Sequence, residues 1–157
     1  MIEFCTNSGV RYFVPNKMGP GRKYVMLNKI EHQIKYDVQQ FASECYAKFN
    51  LEVIEEPAFG NFLGYISAGG AVHEHRDPSP GGYDHVRLNF MVSRPEAGGV
   101  PVIDDRQLEV EENQCWLNLA NRWSHRSTDV EGSVPRIVLS LGSLVLSENV
   151  RNFGPVV

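Results

Sequence analysis

Apolar and polar residues alternate through much of the second half of the chain, and this pattern predicts β-strands. In residues 86–92 the even positions as far as Phe90 are apolar, whereas the odd positions include Arg87 and Asn89. Other short runs of β-forming residues occur at intervals of about 8–12 residues, separated by turn residues. These predicted strands are 61–67, 100–103, 108–110, 115–119 and 136–146, with two short ones near 11–14 and 24–27. The pattern predicts a mainly β sandwich or barrel.

A single helix is predicted ahead of these strands, between residues 28 and 50. Asn28 is a suitable N-cap, and Glu31 follows it at the spacing of a capping box. Apolar residues then recur at steps of three and four, and Asn50 is suited to end the helix. The predicted apolar stripe consists of Ile34, Val38, Phe41, Cys45 and Phe49. We expect this helix to brace the β-structure through that stripe.

The composition is that of an ordinary globular domain. The 157 residues are 42% hydrophobic and 22% charged, and a net charge of −4 argues against a broad nucleic-acid-binding face. Cys5, Cys45 and Cys115 are far apart and form no paired motif, which favours buried, reduced thiols. The sequence shows neither a signal-peptide pattern nor a long apolar run, so we expect a cytoplasmic protein without a membrane partner.

Residues 69–80 concentrate candidate metal ligands between glycines and prolines. If this stretch is extended, His73, His75 and Asp77 point to the same side. Two histidines and one carboxylate with open positions describe a non-haem Fe(II) centre. His125 precedes the longest predicted strand and is expected at the same open end of the β-structure.

A carboxylate-binding residue is also predicted near these ligands. Arg136 opens the last strand, where its guanidinium would clamp a carboxylate through two hydrogen bonds. Ser140 lies on the same face of that strand. Three protein ligands would leave positions on Fe(II) for O2 and a chelating co-substrate.

The order His75-x-Asp77, His125 and Arg136 resembles that of the Fe(II)/2-oxoglutarate-dependent dioxygenases. Within that superfamily, Val-Arg-Leu-Asn-Phe-Met-Val (86–92) and Gly-Gly-Val-Pro-Val-Ile-Asp (98–104) look most like the aspartyl/asparaginyl and prolyl hydroxylase branch. The resemblance covers about residues 58–146 and implies a double-stranded β-helix, or jelly roll. Residues 1–157 would then form a single dioxygenase domain, with supporting strands and helix in 1–57 and a tail in 147–157.

The resemblance also implies an activity and a set of residue roles. His75, Asp77 and His125 would bind Fe(II) as the catalytic centre, and Arg136 would pair with the distal carboxylate of 2-oxoglutarate. The other predicted site residues are Ser140, Tyr65 and Asn89 for co-substrate binding, and Arg87 and Trp123 for the substrate. The implied reaction hydroxylates a C–H bond of an amino acid, peptide or protein, with decarboxylation of 2-oxoglutarate to succinate and CO2. Asp84 and His85 are expected in a solvated loop at the mouth of the site.

Three other interpretations of the same residues remain open. A cupin-like metal enzyme would use His73, His75 and His125 as its ligands. A catalytically silent jelly-roll module would use the same pocket to bind a sugar or peptide. A nucleic-acid demethylase of the same superfamily ranks low, because Val138 and Gly142 replace the polar residues of that branch and the net charge is negative.

Overall fold

The fold is known from a computed structural model that describes residues 13–15 and 21–155. The helix α1 is Ile34–Lys48, and a 3₁₀ turn at Leu27–Lys29 precedes it. The strands of the described residues are β1 (Val14–Pro15), β2 (Arg22–Met26), β3 (Val53–Glu55), β4 (Phe62–Ile66), β5 (Tyr83–Ser93), β6 (Ala97–Gly98), β7 (Pro101–Ile103), β8 (Arg106–Gln107), β9 (Cys115–Leu119), β10 (His125–Ser127), β11 (Val130–Glu131) and β12 (Arg136–Leu146). The predicted strand near residues 11–14 lies mostly outside the described residues, as does Cys5.

The strands form a large sheet that faces a small three-stranded sheet, and a separate two-stranded sheet. The large sheet has the order β1-β2-β4-β12-β5-β9, with β3 also paired to β12. The small sheet has the order β10-β7-β8, and β11 pairs with β6. All of these pairings are antiparallel. This is a mainly β, jelly-roll architecture with one bracing helix, as the sequence predicted.

Strand β12 lies at the centre of the large sheet and is buried on both faces. Its odd-numbered residues, such as Ile137 and Leu139, pack in the hydrophobic cluster that includes Val38 and Tyr46 of α1. Its even-numbered Val138 packs in a second cluster, on the side of the small sheet. A strand covered on both faces needs apolar residues at successive positions, which explains why this strand is so rich in Leu, Val and Ile.

The predicted helix begins later than the sequence indicated. Helix α1 starts at Ile34 with Gln33 as its N-cap, so the prediction that Asn28 caps the helix is wrong. Asn28 lies in the 3₁₀ turn, where its side-chain amide donates to Glu55 at 3.4 Å. The prediction at the other end is confirmed, because Asn50 has a φ of 53° just after the helix.

The buried stripe of α1 also differs from the predicted one. Phe41 and Phe49 remain 39% and 38% exposed, whereas Ala42 and Tyr46 are buried. Ile34 and Val38 begin the stripe as predicted, but it continues at four-residue steps throughout. Four-residue ridges are one of the two ways in which a helix can pack, and the sequence alone did not choose between them.

Tyr46 joins α1 to the large sheet through a buried hydrogen bond. Its hydroxyl donates to the carbonyl of Leu141 at 2.7 Å, at a point between the stretches of β12 that pair with β4 and with β3. Burial raises the pKa of the Tyr46 phenol to about 12, so the hydroxyl stays protonated and able to donate.

We expect Tyr46→Phe to lower the free energy of unfolding by about 1 kcal/mol, because the carbonyl of Leu141 loses its donor. Urea denaturation of the wild type and the variant measures this difference. Tyr36→Phe is the matched control, since Tyr36 lies on the same helix and is 61% exposed. Equal stability of Tyr46→Phe and Tyr36→Phe would contradict the role assigned to this bond.

The strands nearest the site are mostly as predicted. The alternation in β5 is confirmed: Val86 and Leu88 pack in the cluster with α1, whereas Arg87 and Asn89 lie on the opposite face. However, β5 begins at Tyr83, so Asp84 and His85 are buried strand residues and not part of a solvated loop.

Other local predictions near this sheet had mixed outcomes. Asp104 and Asp105 form the two-residue turn of the β7–β8 hairpin, both with positive φ. The strand after that turn is β8 at Arg106–Gln107, so the prediction of a strand at 108–110 is wrong. The thiol of Cys115 is exposed, which contradicts its expected burial, because β9 begins at this residue and only its later residues enter the core. No helix in the described part of the chain is long and apolar enough to span a membrane.

Candidate metal centre

The segment that carries His75 and Asp77 follows an extended path beside residues 120–130. Its backbone forms hydrogen bonds along that length, from Gly69 N–H with Val130 O (2.8 Å) to Asp77 N–H with Ala120 O (2.9 Å). Between these points, His75 and His125 exchange two backbone bonds of 3.1 and 2.9 Å. This pairing places the two imidazoles side by side, with ring centroids 4.2 Å apart.

Three side chains from this pairing form a cluster that could hold a metal ion. One ligand atom each from His75, Asp77 and His125 lies within 4.8 Å of the others. The imidazole Nε2 of His75 is 3.5 Å from the Asp77 carboxylate oxygen Oδ1. The side chain of His73 is exposed and is not part of this cluster.

Backbone carbonyls orient both imidazoles of the cluster. The Nδ1 of His75 lies 2.7 Å from the carbonyl of His73, and the Nδ1 of His125 lies 3.3 Å from that of Trp123. A proton on each Nδ1 can therefore be donated to a carbonyl, which leaves each Nε2 as the ligand atom. Such contacts to the second ring nitrogen are typical of histidines that bind metals.

The charge states of the cluster suit a divalent cation. Burial, with a smaller effect from His75, lowers the pKa of His125 to about 4, so this imidazole is neutral at neutral pH. Burial alone would raise the pKa of Asp77, but hydrogen bonds from His75 and Arg87 hold it well below its usual range. The hydrogen bond with Asp77 raises the pKa of His75. A partly buried carboxylate beside two imidazoles is a donor set that suits Fe(II) and similar metals.

Arg87 orients the carboxylate of Asp77 by binding the oxygen that does not face His75. Its Nε donates to Asp77 Oδ2 at 2.9 Å, and its Nη1 donates to the carbonyl of Gly60 at 3.2 Å. Because Oδ2 is engaged by Arg87, Oδ1 is the oxygen on the side of His75. Arg87 was predicted to contact the substrate, and it does line the cavity, where its contacts with Asp77 and Gly60 also give it a positioning role.

The packing around Arg87 explains why a carboxylate at Glu56 and a glycine at Gly142 lie next to it. The carboxylate of Glu56 accepts backbone N–H groups of residues 58–60 and lies 3.7 Å from Nη2 of Arg87. Gly142 lies directly beneath the guanidinium, where a Cβ would be 2.5 Å from Nη1 of Arg87 and 2.6 Å from the carbonyl of Gly60. A glycine in this central strand therefore makes room for the buried arginine.

His85 was expected in a solvated loop at the mouth of the site, but it lies buried beside Asp77. It is 1% exposed, and its Nδ1 lies 3.6 Å from Asp77 Oδ2 and 3.3 Å from the carbonyl of Pro78. Its Nε2 has no hydrogen-bond partner among the described residues. The available signal was alternation: His85, Arg87 and Asn89 share one face once the predicted strand is extended by three residues to its observed start.

A cavity of about 620 Å³ lies between the two sheets, and the three clustered side chains line it. All four residues predicted to bind the co-substrate also line this cavity, namely Arg136, Ser140, Tyr65 and Asn89. Trp123 was predicted to line the substrate pocket, but it packs against both hydrophobic clusters. Trp116 is buried and also forms part of the cavity wall.

Arg136 is a buried cation that lines this cavity. It is 6% exposed, and its Nε donates to the carbonyl of Gly99 at 2.8 Å. Its guanidinium lies 6.0 Å from the ring of Trp116. Burial, and to a smaller extent Arg22, lowers the pKa of Arg136 to about 10, so the group remains charged at neutral pH. No carboxylate of the described residues pairs with it, and a buried charge of this kind calls for a bound anion.

The fold is shared with solved structures of prolyl hydroxylases. A prolyl-4-hydroxylase from Pseudomonas putida matches with a TM-score of 0.64 and 12% identity, over 92% of this chain and 83% of that chain. A prolyl hydroxylase from Trichoplax adhaerens, solved with a peptide fragment of the hypoxia inducible factor oxygen degradation domain, matches with a TM-score of 0.63 and 12% identity. That match covers 96% of this chain and 77% of the other. No protein-family model and no curated protein sequence matches the chain.

These structures and the cluster together support one class of protein. The jelly-roll fold is one that this chain shares with those prolyl hydroxylase structures. The His75–Asp77–His125 cluster gives that fold a place for a metal ion. The combination supports a jelly-roll protein that binds a metal ion.

We expect Arg87→Ala to weaken Fe(II) binding by about 10–100-fold, because Asp77 loses the group that orients its carboxylate. Anaerobic Fe(II) titration of purified protein measures the change. Arg87→Lys keeps the positive charge but lacks the Nε donor, so it should lie between the wild type and Arg87→Ala. Arg94→Ala is the control, since Arg94 pairs with Glu111 in an exposed position away from the cavity. Unchanged Fe(II) affinity in a folded Arg87→Ala protein would contradict this role.

Proposed function

We propose that the chain is a non-haem Fe(II)- and 2-oxoglutarate-dependent dioxygenase that hydroxylates a C–H bond of an amino-acid-type substrate. The observation that carries this proposal is a single cavity lined by a His-Asp-His cluster and by a buried, carboxylate-free guanidinium. The first feature suits a metal with open positions, and the second suits a carboxylate of a co-substrate.

In this proposal some of the residues bind the metal and others bind the co-substrate. His75, Asp77 and His125 hold Fe(II), while Arg87 fixes the carboxylate of Asp77. Arg136 binds the distal carboxylate of 2-oxoglutarate, and the hydroxyl of Ser140 lies on the same face of β12 to assist it. Bound Fe(II) and 2-oxoglutarate supply the oxidising chemistry, in which O2 is consumed and succinate and CO2 are released.

The cavity itself would direct the reaction to the substrate. Tyr65, Asn89 and Trp116 line it and would limit how much water shares the site. A volume of about 620 Å³ is within the range of pockets that hold small molecules or peptide side chains. We further propose that the chain acts as a single dioxygenase domain and that its substrate is an amino acid, peptide or protein.

Two of the alternative interpretations have weaker support. A cupin-like ligand set needs His73, whose side chain is exposed and outside the cluster. A silent binding module needs no metal. It therefore does not explain why Arg87 holds the carboxylate of Asp77 or why backbone carbonyls orient the two imidazoles.

Succinate formation tests the proposal. Protein supplied with Fe(II), ascorbate, 2-oxoglutarate and O2 should release succinate slowly without substrate, and faster with a suitable amino acid or peptide. Removal of iron or O2 should stop this release. No iron-dependent succinate above a protein-free control, with any of a panel of amino acids and peptides, would support the silent module instead.

A further inference from the structure

The cavity is much more positively charged than the protein as a whole. The chain carries a net charge of −4, yet the described residues that line the cavity include six cationic side chains and one carboxylate, Asp77. The cations are Arg22, Lys23, Arg76, Arg87, Arg126 and Arg136. A concave surface lined with one sign of charge concentrates ligands of the opposite sign.

Two of these six already have assigned partners. Arg87 is bonded to Asp77 and lies near Glu56. Arg136 is the proposed anchor of 2-oxoglutarate, and this co-substrate brings no further carboxylate once its other end binds the metal. The other four cationic side chains are therefore not needed to bind the iron or the co-substrate.

Arg22 is the best placed of the remaining cations. In the sheet register Arg22 pairs with Ile66, and Ile66 pairs with Arg136 on its other side. Residues in register across neighbouring strands point to the same face, and strands are about 4.8 Å apart, so the two arginines lie about 10 Å from each other along one face. All three of these residues line the cavity. Arg22 is therefore on the same face as the co-substrate anchor and two strands nearer the edge of the sheet.

The electrostatic environment of Arg22 agrees with this placement. Its positive charge lowers the pKa of both His75 and Arg136, and burial lowers the pKa of Arg22 itself. Arg22 forms no ion pair or hydrogen bond through its side chain within the part of the chain that the structure describes. A half-buried guanidinium near a second guanidinium is unfavourable unless an anion joins them.

We propose that Arg22 binds a carboxylate of the substrate, so that the enzyme selects acidic amino-acid-type substrates. The inference rests on the proposed function and adds to it the chemical class of the substrate. The carboxylate is the side-chain carboxylate of an aspartate or glutamate, either within a peptide or as the free amino acid. A guanidinium holds a carboxylate by two parallel hydrogen bonds, so it fixes the orientation of the substrate as well as its charge. Arg126 adds positive charge from the small sheet.

Matched peptide libraries test this selectivity. Each library consists of N-acetylated, C-amidated peptides whose central position is aspartate or glutamate in one set and asparagine or glutamine in the other. Substrate-stimulated succinate release gives kcat/KM for each set. Anaerobic fluorescence anisotropy of labelled libraries on the protein loaded with Fe(II) and 2-oxoglutarate gives their affinities. Free acidic amino acids and their amides form a separate arm, which distinguishes the two sources of the carboxylate.

We expect the wild type to prefer the acidic set or the free acids over their amides by about tenfold or more in both measurements. Arg22→Gln should reduce this preference to about one, and Arg22→Lys should keep part of it. Lys29→Gln is the control, because it removes one positive charge just after β2 from a residue that does not line the cavity. It should keep the preference of the wild type.

The two proposals can fail separately. Absence of succinate from the wild type with no peptide added would count against the dioxygenase, whereas the binding measurement would still decide the role of Arg22. Equal binding of acidic and amide forms by the wild type would overturn the role of Arg22, as would an acidic preference that persists in Arg22→Gln. Stimulation by single-stranded oligonucleotides and by neither peptide set would also overturn it.

Discussion

Replacing Asp77 with alanine should reduce iron-dependent succinate release to background. The carboxylate of Asp77 is the one oxygen ligand in the cluster, and two imidazoles alone leave a divalent ion weakly held. We expect a loss greater than the roughly 10–100-fold effect typical of residues that only orient a ligand. Succinate assays at saturating Fe(II) and 2-oxoglutarate, together with Fe(II) titration, measure this effect.

The folded state of this variant must be checked, because Arg87 loses its partner. Asp77→Asn keeps an oxygen that can accept the Arg87 Nε–H, and it should melt close to the wild type while still losing most activity. His73→Ala is the matched control from the same segment, and it should retain activity, since the His73 side chain is exposed. Loss of activity in His73→Ala, with retention in Asp77→Ala, would favour the cupin-like ligand set.

The second large effect is expected for Arg136. Arg136→Ala should raise the KM for 2-oxoglutarate by about 100-fold or more, because truncating one side of a buried charge pair is costly. Fe(II) affinity should change little, since the Arg136 side chain bonds to the carbonyl of Gly99 and not to the cluster. Steady-state kinetics with varied 2-oxoglutarate measure its KM, and a parallel Fe(II) titration measures the affinity for iron.

A lysine at this position provides the matched comparison. Arg136→Lys keeps the positive charge but cannot form two parallel hydrogen bonds with a carboxylate, so its KM should lie between those of the wild type and Arg136→Ala. An unchanged KM for 2-oxoglutarate in a folded Arg136→Ala protein would mean that the co-substrate carboxylate binds elsewhere.

The sequence predicted the strands best where burial leaves a simple pattern. Strands β9 and β12 begin and end at the predicted residues, 115–119 and 136–146. In β12 apolar residues occur at both odd and even positions because both faces are covered, and in β5 the alternation separates the helix side from the cavity side. Such patterns depend on local sequence alone, so they can be predicted without the fold.

The helix and the short strands depended on contacts that the sequence does not show. Asn28 looked like an N-cap, but the chain forms a 3₁₀ turn there and the amide of Asn28 bonds to Glu55 on a distant strand. Strand β10 was not among the predicted strands, because its three residues pair with β7 and with the segment containing His75, both of which are distant in sequence. Tertiary pairing decides the structure of such short elements.

The candidate site also contains some features that the sequence predicts and others that only the folded structure shows. That His75, Asp77 and His125 come together could be anticipated from residue type and order. The surroundings of the carboxylate could not, because they come from residues far apart in sequence. Arg87 reaches Asp77 only because Gly142 leaves space beneath it and Gly60 offers a carbonyl. The register that aligns Arg22 with Arg136 also appears only in the folded sheet.

The most direct test of the central claim is an anaerobic titration of the wild type with Fe(II) followed by 2-oxoglutarate. The account predicts a weak visible charge-transfer band that saturates at one Fe(II) and one 2-oxoglutarate per chain. In Arg136→Ala the same band should require much more 2-oxoglutarate. Absence of the band in the wild type, at concentrations where Fe(II) is bound, would contradict the claim that this cavity holds Fe(II) and 2-oxoglutarate together.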